Sequence, residues 1–161
     1  MTVRSGRFDV RALYLALDDA RQARGLTWAA AARSIGVSPS TLTGLQSRTA
    51  VEGDGVLQML RWLGRTPESF IAGGASPESE LPVVGPGEVL RFDAAAIYRA
   101  LNAERERRQW TWPELAAAIG GVSPAMLRHL RDGGRVSVPS IMRIIGWLER
   151  PAADFTRGCR R

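Results

Sequence analysis

The chain has 161 residues, enough for one ordinary domain or two small ones, and its 45% hydrophobic content allows a buried core. All 22 basic residues are arginine and the net charge is +6, so a polyanion is the first partner to consider. The lone Cys159, the lone His129 and the absence of a long apolar run exclude a disulfide framework, a metal cage and a membrane span. We therefore expect a soluble, cytoplasmic protein with no cofactor, no metal and no membrane partner.

The first part of the chain is predicted to form five helices. Apolar residues recur there at three- and four-residue spacing, and residues typical of helix N-caps precede the runs. No segment shows the alternation typical of a strand. The predicted helices cover 8–24, the run from Thr27 to Gly36, the run that begins at Ser38–Pro39, 55–64, and a short segment from Thr66–Pro67.

Residues 72–90 separate this part from the rest of the chain. The segment is rich in Gly, Pro and Ser, and it contains three glutamates but no arginine. Such a composition is typical of a flexible linker. The predicted organisation is therefore a first domain over 1–71, the linker over 72–90 and a second domain over 91–161.

The second domain repeats the first. With an offset of 84 residues, Phe8 aligns with Phe92 and Thr27–Trp28 with Thr111–Trp112. Gly121 is one extra residue, and after it the offset is 85, so that "VSP" at 37–39 aligns with "VSP" at 122–124. Roughly a third of the aligned positions are identical, which indicates a tandem duplication.

Each copy contains the residues that a tight crossing of two helices requires. A small residue, Ala32 or Ala116, faces the partner helix, and a glycine, Gly36 or Gly120, tolerates a left-handed backbone at the turn. Apolar residues follow on both sides of the turn. This set is typical of a helix-turn-helix motif, and it occurs twice with N-caps at the expected positions.

With these motifs the chain resembles phage-repressor-like (Xre-family) helix-turn-helix proteins. The resemblance implies an all-α fold of two tandem five-helix, lambda-repressor-like domains joined by the linker. It also implies a bacterial or phage transcriptional regulator, a repressor rather than an enzyme, that binds double-stranded DNA near the nucleoid. In such domains the third helix enters the major groove, and the start of the second helix contacts phosphates.

The resemblance assigns DNA contacts to individual positions. The base-facing residues would be Pro39, Ser40, Thr41, Thr43 and Gly44 in the first domain, and Pro124, Ala125, Met126, Arg128 and His129 in the second. The phosphate contacts would come from the amides of Thr27, Trp28, Thr111 and Trp112 and from the side chains of Arg48, Arg131 and Arg135.

The sequence departs from the family pattern in three ways. Trp28 and Trp112 occupy positions where the family often has glutamine, so they either pack at a helix start or stack on the DNA backbone. The ion pair that the family often makes between its first and third helices is absent. Gly121 lengthens the second turn.

Two unlike domains in one chain predict an asymmetric, bipartite operator. A flexible linker of this length can span the about 34 Å between half-sites one helical turn apart. The chain would then act as a monomer with an internal pseudo-repeat, although a homodimer stays open. The alternative is that one domain serves protein interaction or dimerisation, which would make the protein a DNA-associated adaptor or an antitoxin-like partner.

Overall fold

In the computed structural model of the protein, the described residues are 7–47, 51, 53–71 and 77–160, with only the backbone described at residue 54. The N-terminal half, up to residue 71, contains α1 (Val10–Ala23), α2 (Trp28–Ile35), α3 (Pro39–Gly44), a 3-10 turn (Leu45–Ser47), α4 (Gly53–Leu63) and a 3-10 helix (Pro67–Phe70). The C-terminal half, from residue 88, contains β1 (Glu88–Phe92), α5 (Ala94–Arg108), α6 (Trp112–Ile119), α7 (Pro124–Arg131), α8 (Val138–Trp147), a 3-10 helix (Ala152–Phe155) and β2 (Thr156–Arg160).

Six of the α-helices begin at a residue whose side-chain oxygen accepts an amide of the first turn, which has no acceptor within the helix. Thr27 caps α2 by accepting the Ala30 amide at 3.1 Å, and Ser123 caps α7 by accepting the Met126 amide at 3.1 Å. The N-caps that accept a first-turn amide are Asp9, Thr27, Ser38, Asp93, Thr111 and Ser123. These caps fix the residue at which each of the six helices begins.

The prediction of an all-α fold is wrong, because β1 and β2 form a two-stranded antiparallel sheet in which Glu88 pairs with Arg160 and Phe92 with Thr156. The N-terminal half has the counterpart of the last pair, an isolated antiparallel bridge between Phe8 and Ile71. Each strand has only five residues, and β1 lies within and just after the predicted linker. Their pairing joins distant parts of the chain, so no local pattern indicated it.

The prediction of two tandem five-helix domains joined by a linker is also wrong. The fifth predicted helix of each half is a single 3-10 turn, and the two halves share one hydrophobic cluster. We call their contact surface the seam: it consists of α4, β1, α8 and the 3-10 helices Pro67–Phe70 and Ala152–Phe155. The halves are therefore packed together rather than tethered.

Hydrogen bonds between described residues connect the two halves at the seam. The Val138 amide donates to the Val51 carbonyl at 2.8 Å, and Gln58 Nε2 donates to the Leu90 carbonyl at 2.7 Å. The Ala152 amide donates to Glu68 Oε1 at 2.6 Å, and this contact is buried. Buried polar groups need such partners, so the seam is specified by hydrogen bonds as well as by apolar packing.

The seam joins equivalent surfaces. With the offset of 85, α4 corresponds to α8 and the 3-10 helix at Glu68 corresponds to the one at Ala152. Each of these elements contacts its own counterpart across the seam. Contact of a surface with its own copy is the isologous arrangement of a two-fold axis, here an approximate one within a single chain.

In the part of the chain that the structure describes, no helix is both long enough and apolar enough to cross a lipid bilayer.

Candidate nucleic-acid interface

In the N-terminal half, α2 and α3 are joined by a turn of three residues. Gly36 has φ 95°, a left-handed conformation that favours glycine, and its amide donates to the Ala32 carbonyl at 2.8 Å. Ala32 and Leu42 are fully buried between the two helices. The small side chain and the glycine let the helices cross closely and leave one side of α3 at the surface.

In the C-terminal half, α6 and α7 are joined by a turn of four residues that contains the extra Gly121. Gly120 has φ 77° and ψ 142°, unlike the left-handed Gly36, and Gly121 has φ 72°. Arg143 of α8 donates from Nη1 to the Gly120 carbonyl at 3.4 Å. A Cβ atom at Gly121 would lie 3.0 Å from Arg143 Cζ, so glycine at this position makes room for that side chain.

The exposed side of α3 carries small, uncharged residues. Ser40 and Thr43 are exposed, and Thr41 and Gly44 are half-buried. The Thr41 and Ser38 hydroxyls lie 2.6 Å apart, and Thr43 Oγ1 donates to the Pro39 carbonyl at 3.3 Å. These hydroxyls already interact within their own helix, so α3 offers neither a charge nor a bidentate donor for a base edge.

The exposed side of α7 carries charge. Ala125, Arg128 and His129 lie on one side at three- and four-residue spacing, and Leu127 and Leu130 are buried on the other. Pro124 and Met126 are half-buried beside them. Within the described residues the Arg128 side chain has no ion-pair or hydrogen-bond partner. The Arg128 guanidinium is therefore available to contact a molecule bound at the exposed side of α7.

Trp28 lies in a stack on the N-terminal half. Its ring is stacked on Tyr14 at a centroid distance of 5.5 Å, and the Arg21 guanidinium lies 4.7 Å from the Trp28 ring centroid. Arg21 also donates to the Leu26 carbonyl at 2.9 Å and to Asp18 at 2.7 Å. The hydrogen bond from Arg21 holds the pKa of Asp18 below its usual value.

The C-terminal half repeats this stack. The ring centroids of Tyr98 and Trp112 lie 5.2 Å apart, and the Arg105 guanidinium lies 4.9 Å from the Trp112 ring centroid. Arg105 also donates a hydrogen bond to the Trp110 carbonyl at 3.0 Å. Asn102 accepts from Arg105 at 2.8 Å, in the place of the aspartate. In both halves this arginine holds the end of the first helix, and the tryptophan packs at the start of α2 or α6. The half-buried tryptophan still leaves part of its ring at the surface beside the capping threonine.

The three arginines predicted to contact phosphates have different surroundings. Arg48 lies outside the described residues. Arg131 is the exposed last residue of α7, and its Nε atom lies 3.3 Å from Oδ1 of Asp132 in an ion pair. Arg135 lines a cleft together with three arginines that the sequence analysis did not single out: Arg91, Arg99 and Arg157. A comparison of charges between the repeats would have singled out Arg99 and Arg157, which align with Leu15 and Ala72, but not Arg91, which aligns with Arg7.

The described residues contain no group of His, Cys, Asp and Glu side chains that could hold a metal ion. The candidate site therefore consists of α3 and α7, two short helices that each have one exposed side and follow a turn that contains glycine. The exposed side of α7 is cationic. Comparisons of the chain with protein-family models, with curated proteins and with solved structures find no match.

Proposed function

We propose that the protein is a sequence-specific regulator of transcription that binds double-stranded DNA through α3 and α7. The observation that carries the proposal is that α7 has two different sides. Arg128 and His129 are exposed on one side, while Leu127 and Leu130 on the other side are buried in the core. Arginine is the side chain best suited to guanine in the major groove, because its fork can bond two acceptors. As a DNA-bound protein it would act in the cytoplasm, at the nucleoid, as a repressor.

The seam supports a particular form of operator. Because the halves meet through equivalent surfaces, an approximate two-fold axis relates α3 to α7. Operator half-sites mirror the symmetry of the protein that binds them. We therefore expect two half-sites in inverted orientation and unlike in sequence, with their spacing set by the packed seam rather than by the residues between the halves.

The two half-sites would differ in strength. The exposed side of α7 offers a guanidinium, whereas α3 offers hydroxyls that are already bonded within the helix. A bidentate arginine–guanine pair discriminates more strongly than a hydroxyl contact. We expect a well-defined half-site for α7 and a degenerate one for α3.

Selection of bound duplexes from a random DNA library tests the proposal. The full chain should be used at about 0.15 M salt, because charge alone gives a basic protein affinity for any DNA at low ionic strength. The proposal expects an enriched motif with two inverted, unlike halves about one helical turn apart. Direct repeats would contradict the assigned orientation, and enrichment of one half alone would assign the other helix to a protein partner. Absence of any enrichment would overturn sequence-specific binding.

A further inference from the structure

The turn between α6 and α7 lacks a hydrogen bond that its counterpart between α2 and α3 makes. In the N-terminal half the Ala32 carbonyl accepts two amides, from Gly36 at 2.8 Å and from Val37 at 3.1 Å. In the C-terminal half Gly120 donates to the Ala116 carbonyl at 2.9 Å. Among the described residues of this longer turn, no second backbone amide closes it in the same way. The C-terminal turn is therefore less firmly closed by its own backbone.

The two successive glycines of this turn also make it costly to order. Gly120 has φ 77° and ψ 142°, and Gly121 has φ 72°, so both have a positive φ. A glycine loses more conformational freedom on folding than any other residue, and here two such losses add. The turn therefore keeps one shape only if contacts from outside it restrict the two glycines.

Arg143 of α8 supplies such contacts. Its Nη1 atom donates to the Gly120 carbonyl at 3.4 Å. A Cβ atom at Gly121 would lie 3.0 Å from both Cζ and Nε of Arg143, so the planar guanidinium lies directly against the Gly121 backbone. The Arg143 side chain is half-buried, and its hydrogen bond to the turn is the only one that it makes to a described residue. The guanidinium is thus held at the turn and restricts both glycines.

The equivalent side chain in the N-terminal half has a different role. With the offset of 85, Arg143 corresponds to Gln58 of α4, whose Nε2 donates across the seam to the Leu90 carbonyl at 2.7 Å. The half with the short turn thus has a glutamine directed at the seam, and the half with the extra glycine has an arginine directed at the turn. These two differences between the repeats meet at one place, which indicates that Arg143 compensates for Gly121.

We propose that Arg143 is a positioning residue for α7: it fixes the direction in which α7 leaves the turn, and with it the position of Arg128 on DNA. The inference rests on the proposed function of α7 as a DNA-reading helix. A binding side chain must be held to within about 0.5 Å of its productive position, so freedom in the turn weakens base discrimination. The turn before α3 has no such arginine, so only the half-site read by α7 should depend on Arg143.

The substitution Arg143→Gln, which places the residue of the other repeat in α8, tests the proposal on DNA. Binding isotherms on duplexes varied at single positions should show that discrimination at the half-site of α7 falls by about fivefold or more. The weaker discrimination at the half-site of α3 should change by less than about twofold. The matched control Arg99→Gln removes the same charge from an exposed position on α5 and should leave both preferences unchanged. Loss of discrimination at both half-sites alike, or at neither, would overturn the proposal.

The turn itself can be observed without DNA. Backbone amide relaxation measured by NMR should give order parameters of about 0.85 for Gly120 and Gly121 in the natural chain and below about 0.6 in Arg143→Gln. Gly36 should keep the same value in both proteins. Unchanged order parameters in the variant would overturn the proposal, whatever the result on DNA. A natural chain without sequence preference would refute the proposed function instead, and the relaxation data would still show whether Arg143 holds the turn.

A phosphate contact is the competing role for Arg143, and Arg143→Lys separates the two. Lysine keeps the charge but lacks the planar group that lies against Gly121. If Arg143 positions α7, the lysine variant should lose discrimination at the half-site of α7 much as the glutamine variant does. If Arg143 instead binds a phosphate, the glutamine variant should bind all duplexes more weakly with unchanged preference, the lysine variant should restore the affinity, and the proposal is wrong.

Discussion

At the scale of single residues, the repeated tyrosine–tryptophan–arginine stack explains why three residue types recur at the same spacing in both halves. The tryptophan ring lies between Tyr14 and Arg21 in one half and between Tyr98 and Arg105 in the other. Such cation–π and stacking contacts add to the apolar area that the ring buries. The stack holds the start of α2 or α6 against the first helix of its half.

Arg128 provides the most direct test of DNA contact. Arg128→Ala should remove preference at one base position and weaken binding to the selected site by about 1–3 kcal/mol, since one bidentate pair is lost. Binding isotherms on duplexes varied at single positions measure this. Arg11→Ala removes the same charge from an exposed position on α1 and should lower affinity without changing the preferred sequence. An unchanged preference in Arg128→Ala would refute the assigned contact.

Glu68 gives a prediction about pH. Its side chain is 6% exposed at the seam, and burial raises the pKa of the Glu68 carboxyl above its ordinary value of 4.5. The folded protein therefore holds this proton more tightly than the unfolded chain, so the contribution of Glu68 to stability is full below pH 4.5 and is lost as the pH rises through the folded-state pKa.

The substitution Glu68→Gln should remove the loss of stability that the natural chain shows as the pH rises. The amide oxygen can still accept the Ala152 amide, and no charge is buried, so we expect the variant to be more stable than the natural chain at pH 8 by about 1 kcal/mol. The difference should vanish near pH 4. Denaturant titrations at the two pH values measure it, with the exposed Glu149→Gln as control. A natural chain at least as stable as Glu68→Gln at pH 8 would contradict the assigned burial.

At the scale of elements, α4 shows how closely the two halves approach. A Cβ atom at Gly53 would lie 2.6 Å from Cδ2 of Phe92, which belongs to the other half. At Gly55, two residues along the same helix, the nearest atoms would be at ordinary contact distances of 3.8 Å or more. The two glycines therefore have different roles: Gly53 admits Phe92 at the seam, and Gly55 merely has room.

Alanine substitutions separate these roles. Gly53→Ala should lower the free energy of unfolding by about 1–3 kcal/mol, because the added methyl group displaces the Phe92 ring. Gly55→Ala should raise it by about 0.4–1 kcal/mol, because alanine restricts the unfolded chain and favours the helix. Chemical denaturation followed by circular dichroism measures both changes. Similar effects of the two substitutions would mean that the close approach at Gly53 is not present in solution.

At the scale of the whole molecule, the shared cluster predicts that the halves unfold together. Ile35 and Ile119 are equivalent positions in the two halves, and each is 6% exposed in the cluster. Ile35→Val and Ile119→Val should each lower the free energy of unfolding by about 0.5–1.5 kcal/mol and should each shift one common transition. Tryptophan fluorescence and far-ultraviolet circular dichroism should give coincident curves. Two separable transitions, each moved by only one variant, would show independently folding halves.

Much of the local structure could be predicted from the sequence. The caps at Thr27 and Thr111, the turn at Gly36 and the buried residues Leu42 and Leu127 were expected from residue type and spacing, and the structure has them there. Such features depend on neighbours within a few residues, because a cap or a turn is made by the chain next to it. The assignment of DNA contacts to α3 and α7 stays a prediction.

The sheet and the seam could not be predicted in this way. Each brings together residues that are far apart in the chain, such as Arg91 with Arg157 and Val51 with Val138. The segment before α5 has the composition of a linker, and Leu90 is nevertheless fully buried against α4, because the N-terminal half offers it an apolar surface.

The sequence by itself determined the repeated helices, their caps and the net charge, since local backbone preferences act within each segment. Only the tertiary structure decided that the two copies form one body, because burying the equivalent apolar faces of α4 and α8 against each other removes them from water.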